Sequence, residues 1–377
     1  MVRRSAAVSL FALIGTVAAA QDVPTTRLTN PAAEFPEGFS QLSAMRELRD
    51  GRVLVVEQCE RLLKVADFKS GTLSQVGRTG SGPGEYRSPS RLLALAGDSS
   101  AIYDPSNSRF LVIRADGTPG GFFEAIPGVT ETRGNVVMFS ARFSPTASDA
   151  QGWLYARESG IKPGASGMVT TDSVAIERWD PVTKRRDTVA VHNLRLPAHE
   201  LKPGESDPPF TTGIQWAVAP DGRVALVHPS DYHVEYVNPN GTRTKGAPIR
   251  YTRVRVSQEH REAFLEQRRR PACPLPANVR MMVGDDPTEW PDYLPPFLSG
   301  AARFASDGIL WVLRTGPADG PPTYDLIDGA GRLVHRVILP PRAKLLGFGK
   351  GSVYIVKLDD DDLQFLQRHP LPAVPRG

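Results

Sequence analysis

The chain has 377 residues, with 45 Lys+Arg against 41 Asp+Glu and a formal net charge of +4. So small an excess gives no electrostatic basis for binding nucleic acid. Its 34 glycines and 34 prolines favour turns over helices, and a closed all-β fold can hold a chain of this length in one domain.

Residues 1–20 read as an export signal. Arg3 and Arg4 precede an apolar run from Ala6 that ends in Ala18, Ala19 and Ala20 before Gln21. The surroundings of the arginine pair fit a twin-arginine signal poorly, and no cysteine follows Ala20 to carry a lipid. No later apolar run is long enough to span a bilayer. The expectation is a periplasmic or secreted monomer without a membrane span, its residues 21–377 forming a single domain.

Short apolar runs separated by polar turns then recur in units of four. The first unit starts near Gln41 and has Asp50-Gly51 as its first turn. The second follows a glycine-rich crossing, Gly77–Pro89, with runs at Leu92–Leu95, Ala101–Tyr103, Phe110–Ile113 and Gly120–Ile126. The third is irregular: Val136–Phe143, Gly152–Ala156, Val174–Trp179 and Arg186–Val191. The fourth covers Ile214–Ile249 with Asp221-Gly222 and Asn240-Gly241 turns, and the fifth Gly300–Leu339 with Asp307-Gly308. The sixth, Lys344–Phe348, Ser352–Lys357 and Leu363–Gln367, lacks a fourth strand, which the early segment Thr25–Thr29 could supply. Such sharing would tie the ring's ends together and remove exposed sheet edges. The pattern predicts an all-β, six-bladed β-propeller with four-stranded antiparallel blades. A pair of β-sandwiches would not place Asp-Gly or Asn-Gly turns at one phase of a repeating unit.

Asp104, Asn107, Arg109, Asp116 and Gly117 in the second unit resemble the NHL-type repeat. More broadly, the chain is similar to exported bacterial six-bladed β-propeller proteins that carry a Gly-Pro-Gly-Glu-(Phe/Tyr) crossing. The matching parts are Gly82-Pro83-Gly84-Glu85-Tyr86, the helical insert after the fourth unit, Gly308-Ile309-Leu310-Trp311-Val312 and the closing Val353–Leu371. The resemblance implies the fold and leaves the activity open.

Four antiparallel strands per blade bring every crossing, and every loop between second and third strands, to one face. Function on closed β scaffolds concentrates on such loops. The long segments expected there are Arg78–Pro89, His192–Gly213, Glu158–Asp172 and the helical, proline-rich insertion 251–299. Ser257 can cap a helix Gln258–Arg270, whose basic end Arg268-Arg269-Arg270 suits either a solvated helix end or an anion, and Pro271 stops it. Met281, Met282, Trp290, Tyr293 and Phe297 could cover the channel mouth or pack on the fourth and fifth blades. Cys59 and Cys273 fall on the same face, so they either form a disulfide or remain two buried thiols.

Innermost strands would place Arg91, Arg142, Gln215, Trp216, Arg303 and Lys344 at the channel, either binding a small anionic ligand or bridging neighbouring blades. His228, Asp231 and His233 share one hairpin and are weak metal candidates: a third ligand would have to face them, and neither HExxH nor a paired-cysteine motif is present. Asp359–Asp362 reads as a solvated turn, and Gly347–Ser352 as a hairpin without phosphate-loop spacing. Asp104, Asn107 and Arg109 read as a structural turn, Asn240-Gly241-Thr242 as a turn that also matches a glycosylation sequon, and no GxSxG is present. No cofactor is expected. The favoured reading is a binding or interaction module for a small anionic ligand or a protein. The alternatives are a lactonase-like hydrolase or lyase with a metal or His/Glu site over the channel, and a structural envelope partner.

Overall fold

A computed structural model describes residues 23–125, 130–133, 136–139, 143–158, 160–164, 167–193, 208–275, 278–279, 281 and 283–374. Six sheets follow one another along the chain. Blade one is Leu42–Glu47, Val53–Glu57, Leu62–Asp67 and Thr72–Gln75. Blade two is Arg91–Ala94, Ser100–Asp104, Arg109–Ile113 and Pro119–Glu124. Blade three is Ala147–Ser148, Leu154–Arg157, Ser173–Trp179 and Arg186–Asn193. Blade four is Gln215–Val218, Val224–His228, His233–Val237 and Arg243–Lys245. Blade five is Phe297–Phe304, Leu310–Arg314, Thr323–Ile327 and Leu333–Ile338, and blade six Ala343–Gly349, Ser352–Leu358 and Gln364–Pro370.

The core shows that these sheets form a ring. Six apolar clusters each join two successive blades, and the sixth joins blade six back to blade one. Strand alternation explains why. In Val53–Glu57 every residue is buried, because Val53 and Val55 pack towards blade six while Leu54 and Val56 pack towards blade two. A strand covered on both faces loses polar–apolar alternation and reads as a continuous apolar run. Tyrosine hydroxyls add polar ties between blades: Tyr354 to Glu47 at 2.6 Å, Tyr232 to Asp325 at 2.9 Å and Tyr236 to the Asp328 carbonyl at 2.8 Å. The chain is thus a six-bladed β-propeller.

Two assignments are corrected. The fourth strand of blade six is Ala33–Glu34, antiparallel to Gln364–Pro370, not Thr25–Thr29. Thr25–Arg27 instead adds a fifth, parallel strand outside blade five. Phe35 and Phe39, fully buried between blades six and one, fix this choice, since they seat the two residues just before Phe35 against blade six. In blade three the innermost strand is Ala147–Ser148, whereas Val136–Phe139 pairs with Thr130–Arg133 as a separate hairpin in the crossing. Ser148 Oγ accepts a hydrogen bond from Ala94 N at 2.7 Å, which locks the short strand against blade two.

The Asp-Gly turns close first-to-second-strand hairpins, as at Asp50-Gly51, or third-to-fourth ones, as at Asp116-Gly117. Gly51 and Gly117 have φ of 86° and 87°. Asp50 and Asp116 accept from the backbone N–H two residues on, at 3.0 and 2.9 Å. All these turns lie on the face opposite the crossings.

Candidate functional site

The insertion 251–299 is the largest feature of the loop face, and its contacts show where it runs. Helix α1, Gln258–Arg269, begins at Ser257, whose hydroxyl caps His260 N while His260 Nδ1 accepts from Ser257 N at 3.2 Å. Nε2 of the same ring donates to the Gly316 carbonyl at 2.9 Å, so His260 ties the helix start to the second-to-third-strand loop of blade five. At the other end Arg270 pairs with Asp362 of blade six at 2.5 Å, and Asp362 also takes Arg342 at 3.0 Å. Three residues later Cys273 is disulfide-bonded to Cys59 of blade one, with Cα atoms 5.2 Å apart. The strap therefore passes over blades five, six and one in turn.

The return limb lies back along the helix. Arg268 donates to the Asp285 carbonyl and Arg269 pairs with Asp286. Trp290 packs on Phe264 and on Phe210 of the crossing between blades three and four, at ring distances of 5.5 and 5.9 Å. Bonds from Val256 N to Asp292 O and Leu294 N to Val254 O close the base of the strap. All three arginines of the basic helix end are thus engaged. Phe297 is buried in the core between blades four and five, Tyr293 lies half-exposed beneath Arg253, and Met282 falls outside the described residues. Leu275, Val279, Met281, Val283, Tyr293 and Leu298 are exposed on the insertion, as is Leu363 beside it. In Asp359–Asp362, Asp359 accepts from the N–H groups of Asp361 and Leu363, while Asp360 and Asp362 pair with Arg342.

The Glu158–Asp172 loop holds a two-stranded hairpin, Ile161–Gly164 with Gly167–Thr170. Of His192–Gly213, residues 194–207 lie outside the described residues. The crossing Gly77–Pro89 is nailed down by the NHL-like residues. Buried Asp104 accepts from Arg87 N and Ser88 N, both at 3.0 Å, and from Asn107 Nδ2 at 2.7 Å. Asn107 donates in turn to the Gly80 carbonyl, and Arg109 Nη2 reaches the Gly82 and Glu85 carbonyls. Tyr86 plugs the core between blades one and two.

The channel residues do not form one group. Arg91 and Gln215 begin their innermost strands and Lys344 stands second in its own, whereas Arg303 is seventh in Phe297–Phe304, towards the opposite end. Arg91 donates to Ser144 Oγ of the blade-three entry at 2.7 Å, and Arg303 to the Leu346 carbonyl of blade six at 2.9 Å. Gln215 accepts from Gly300 N of blade five at 2.7 Å, and Trp216 packs on the cluster between blades three and four. The Lys344 side chain is exposed and makes no hydrogen bond or ion pair among the described residues, of which Arg142 is not one. Two residues that sequence reasoning missed complete the ties: Arg46 to Asp98 and Ser100, and Glu47 to Lys350 N. They stand fifth and sixth in the innermost strand Leu42–Glu47, a position that marks them as channel candidates without revealing their partners.

His228 and His233 oppose one another across the blade-four hairpin, their rings stacked 4.2 Å apart and 10° from parallel. His233 Nδ1 bonds Asp231 at 2.5 Å, and His228 Nε2 lies 3.7 Å from Glu235, which pairs with Arg243. Among the described residues no group of three or more His, Cys, Asp or Glu side chains is placed to hold a metal. Burial depresses the imidazole pKa of His192, His228, His335 and His369, with the neighbouring His233 adding to the effect at His228. The unfolded chain, with histidines near pKa about 6.5, therefore binds more protons than the folded one as pH falls below that value. Stability is expected to be full above pH about 6.5 and to fall steadily below it. Urea midpoints at a series of pH values check this; a midpoint that rises on acidification through that window contradicts it.

No family model matches the chain, and no curated protein matches it. Solved structures do. A member of the DUF4221 family from Bacteroides vulgatus aligns at TM-score 0.50 and 10% identity, covering 91% of this chain and 99% of that one. An exported protein of Bacteroides fragilis gives 0.44 and 14%, covering 93% and 99%, and a gluconolactonase from Xanthomonas campestris 0.42 and 12%, covering 91% and 93%. At such identities the likeness is one of fold. No helix among the described residues is long and apolar enough to cross a membrane.

Proposed function

We propose that the chain is an exported binding module, residues 1–20 serving as the export signal, whose ligand or partner contacts the strapped loop face. The observation that carries this is the strap itself. It is anchored to blades five, six and one, and it displays Leu275, Val279, Met281 and Tyr293 to solvent where a structural brace alone would bury them. Loops on a rigid closed scaffold are the usual place for such contacts. Of the innermost-strand cations, Arg91 and Arg303 make inter-blade hydrogen bonds, which favours the strap and the second-to-third-strand loops as the contact surface.

A thermal-shift screen of the purified mature protein, followed by hydrogen-exchange mapping of any compound that raises Tm, tests the reading. Protection is expected in residues 258–275, 281–294 and 315–322, with the compound recovered unchanged. Protection confined to the Asp-Gly hairpins of the opposite face would overturn it. A stoichiometric metal together with chemical conversion of the compound would instead establish the hydrolase or lyase alternative.

A further inference from the structure

The outer flank of blades one and two holds an open cleft of about 490 Å3, lined by Gly77, Arg78, Gly84, Glu85, Arg114 and Gly120, with the rings of Pro83 and Pro119 as apolar wall. We propose that this cleft binds a small monocarboxylate, its carboxylate held between the Arg78 and Arg114 guanidinium groups and its apolar part against the prolines. The volume suits a small molecule.

Charge and hydrogen bonding favour an anion. The lining carries two guanidinium groups and one carboxylate. That carboxylate is already satisfied within the protein: Glu85 accepts from Gly82 N and from Arg78 Nε, both at 2.7 Å. These two contacts, the Gly82 N–H first, hold its pKa below the ordinary range, so it stays charged and paired. One positive charge is left over in the lining. The two Nη atoms of Arg78 have no hydrogen bond among the described residues, and Arg114 uses only Nη1, to the Pro119 carbonyl at 2.7 Å and Thr118 Oγ1 at 3.4 Å. Two planar forks with donors to offer match the geometry of a carboxylate.

The crossing wall is held from behind, and glycines let the lining residues approach one another closely. Arg109 grips the crossing from behind through the Gly82 and Glu85 carbonyls, each at 2.9 Å, so the wall is set before any ligand arrives. A Cβ on Gly84 would stand 3.2 Å from Pro119 Cβ, and one on Gly120 would stand 3.0 Å from Arg114 Cγ. A side chain at either position would crowd its neighbour and push the lining out of place. At Gly121, by contrast, a Cβ would meet nothing within 4 Å, which leaves that side open for entry.

The test is a titration of 15N-glycine-labelled protein with phenylacetate, and with the isosteric, uncharged phenylacetamide. Phenylacetate is expected to shift the amides of Gly77, Gly84, Gly120 and Gly121 saturably in the millimolar range, while Gly284 of the strap and Gly316 beneath it stay put. The R78Q/R114Q variant should bind at least about tenfold more weakly, a ratio in keeping with one charged, bidentate contact. If that variant is poorly folded, R78Q alone, at a side chain 81% exposed, must still weaken binding. Absence of saturation up to about 20 mM, well beyond millimolar affinity, overturns the proposal. Equal shifts from phenylacetamide, or shifts that persist in the variant, overturn it as well. None of the glycines expected to shift belongs to the strap, so the outcome is scored separately from protection of the strap.

Discussion

A C59S/C273S variant is expected to lose about 3 kcal/mol of stability, with Tm lower by roughly 4 °C for a chain of this size. The disulfide spans a sequence separation of 214, so in the unfolded chain it closes a very long loop. Chain entropy alone would give somewhat more than about 4.7 kcal/mol, and measured bridges usually fall short of that. Its position adds to the effect. The propeller's seam lies at blade six, where Ala33–Glu34 joins strands from the other end of the chain. Cys59 belongs to blade one on one side of that seam. Cys273 belongs to a strap seated, through His260 and Arg270, on blades five and six. The bridge is therefore a covalent clasp beside the non-covalent one. Urea unfolding with and without a thiol reductant measures it; a variant as stable as the parent would show that the clasp closes nothing.

An Asp104→Ala substitution is expected to be at least as damaging, at about 3–5 kcal/mol. Asp104 is fully buried, and its two oxygens serve Arg87 N, Ser88 N and Asn107 Nδ2. Removing the carboxylate deprives three part-buried donors of a charged acceptor, each such bond contributing about 1.5–3 kcal/mol less whatever water recovers, while Asn107 Nδ2 keeps its bond to the Gly80 carbonyl. It also frees the crossing that carries Tyr86 into the core. Asn107→Ala, which removes one donor and its tie to Gly80, should cost only about 1–2 kcal/mol. Denaturant midpoints of the two variants provide the check, and an Asp104→Ala cost under about 1 kcal/mol, the size of one ordinary hydrogen bond, would deny the residue its anchoring part.

The ring was legible in the sequence because its determinants are local. Runs such as Val53–Glu57 are apolar throughout since neighbours cover both faces, and Asp-Gly turns mark the hairpins whatever surrounds them. Two strands misled for the opposite reason. Thr25–Arg27 and Val136–Phe139 have strong strand character and do form strands, yet Ala33–Glu34 and Ala147–Ser148, which carry little, complete the blades. There the choice rests on distant partners, Phe35 and Phe39 in one case and Ala94 in the other. The candidate site was legible only in outline. The sequence places the insertion on the loop face. That His260 reaches Gly316, or that Arg270 meets Asp362, depends on a path no spacing rule encodes. Arg91 and Arg303 show the same limit, since a strand end says nothing of whether a guanidinium meets solvent or a neighbouring carbonyl.

The proposed binding role depends on the strap lying fastened over the loop face. Peptide-level hydrogen exchange of the full chain, oxidised and then reduced, tests that most directly. In the oxidised protein, residues 258–275 and the loops 315–322 and 359–363 should be protected. Reduction should release that protection while Val53–Glu57 keeps its own. A strap that exchanges at the rate of an open chain in both states would contradict the account.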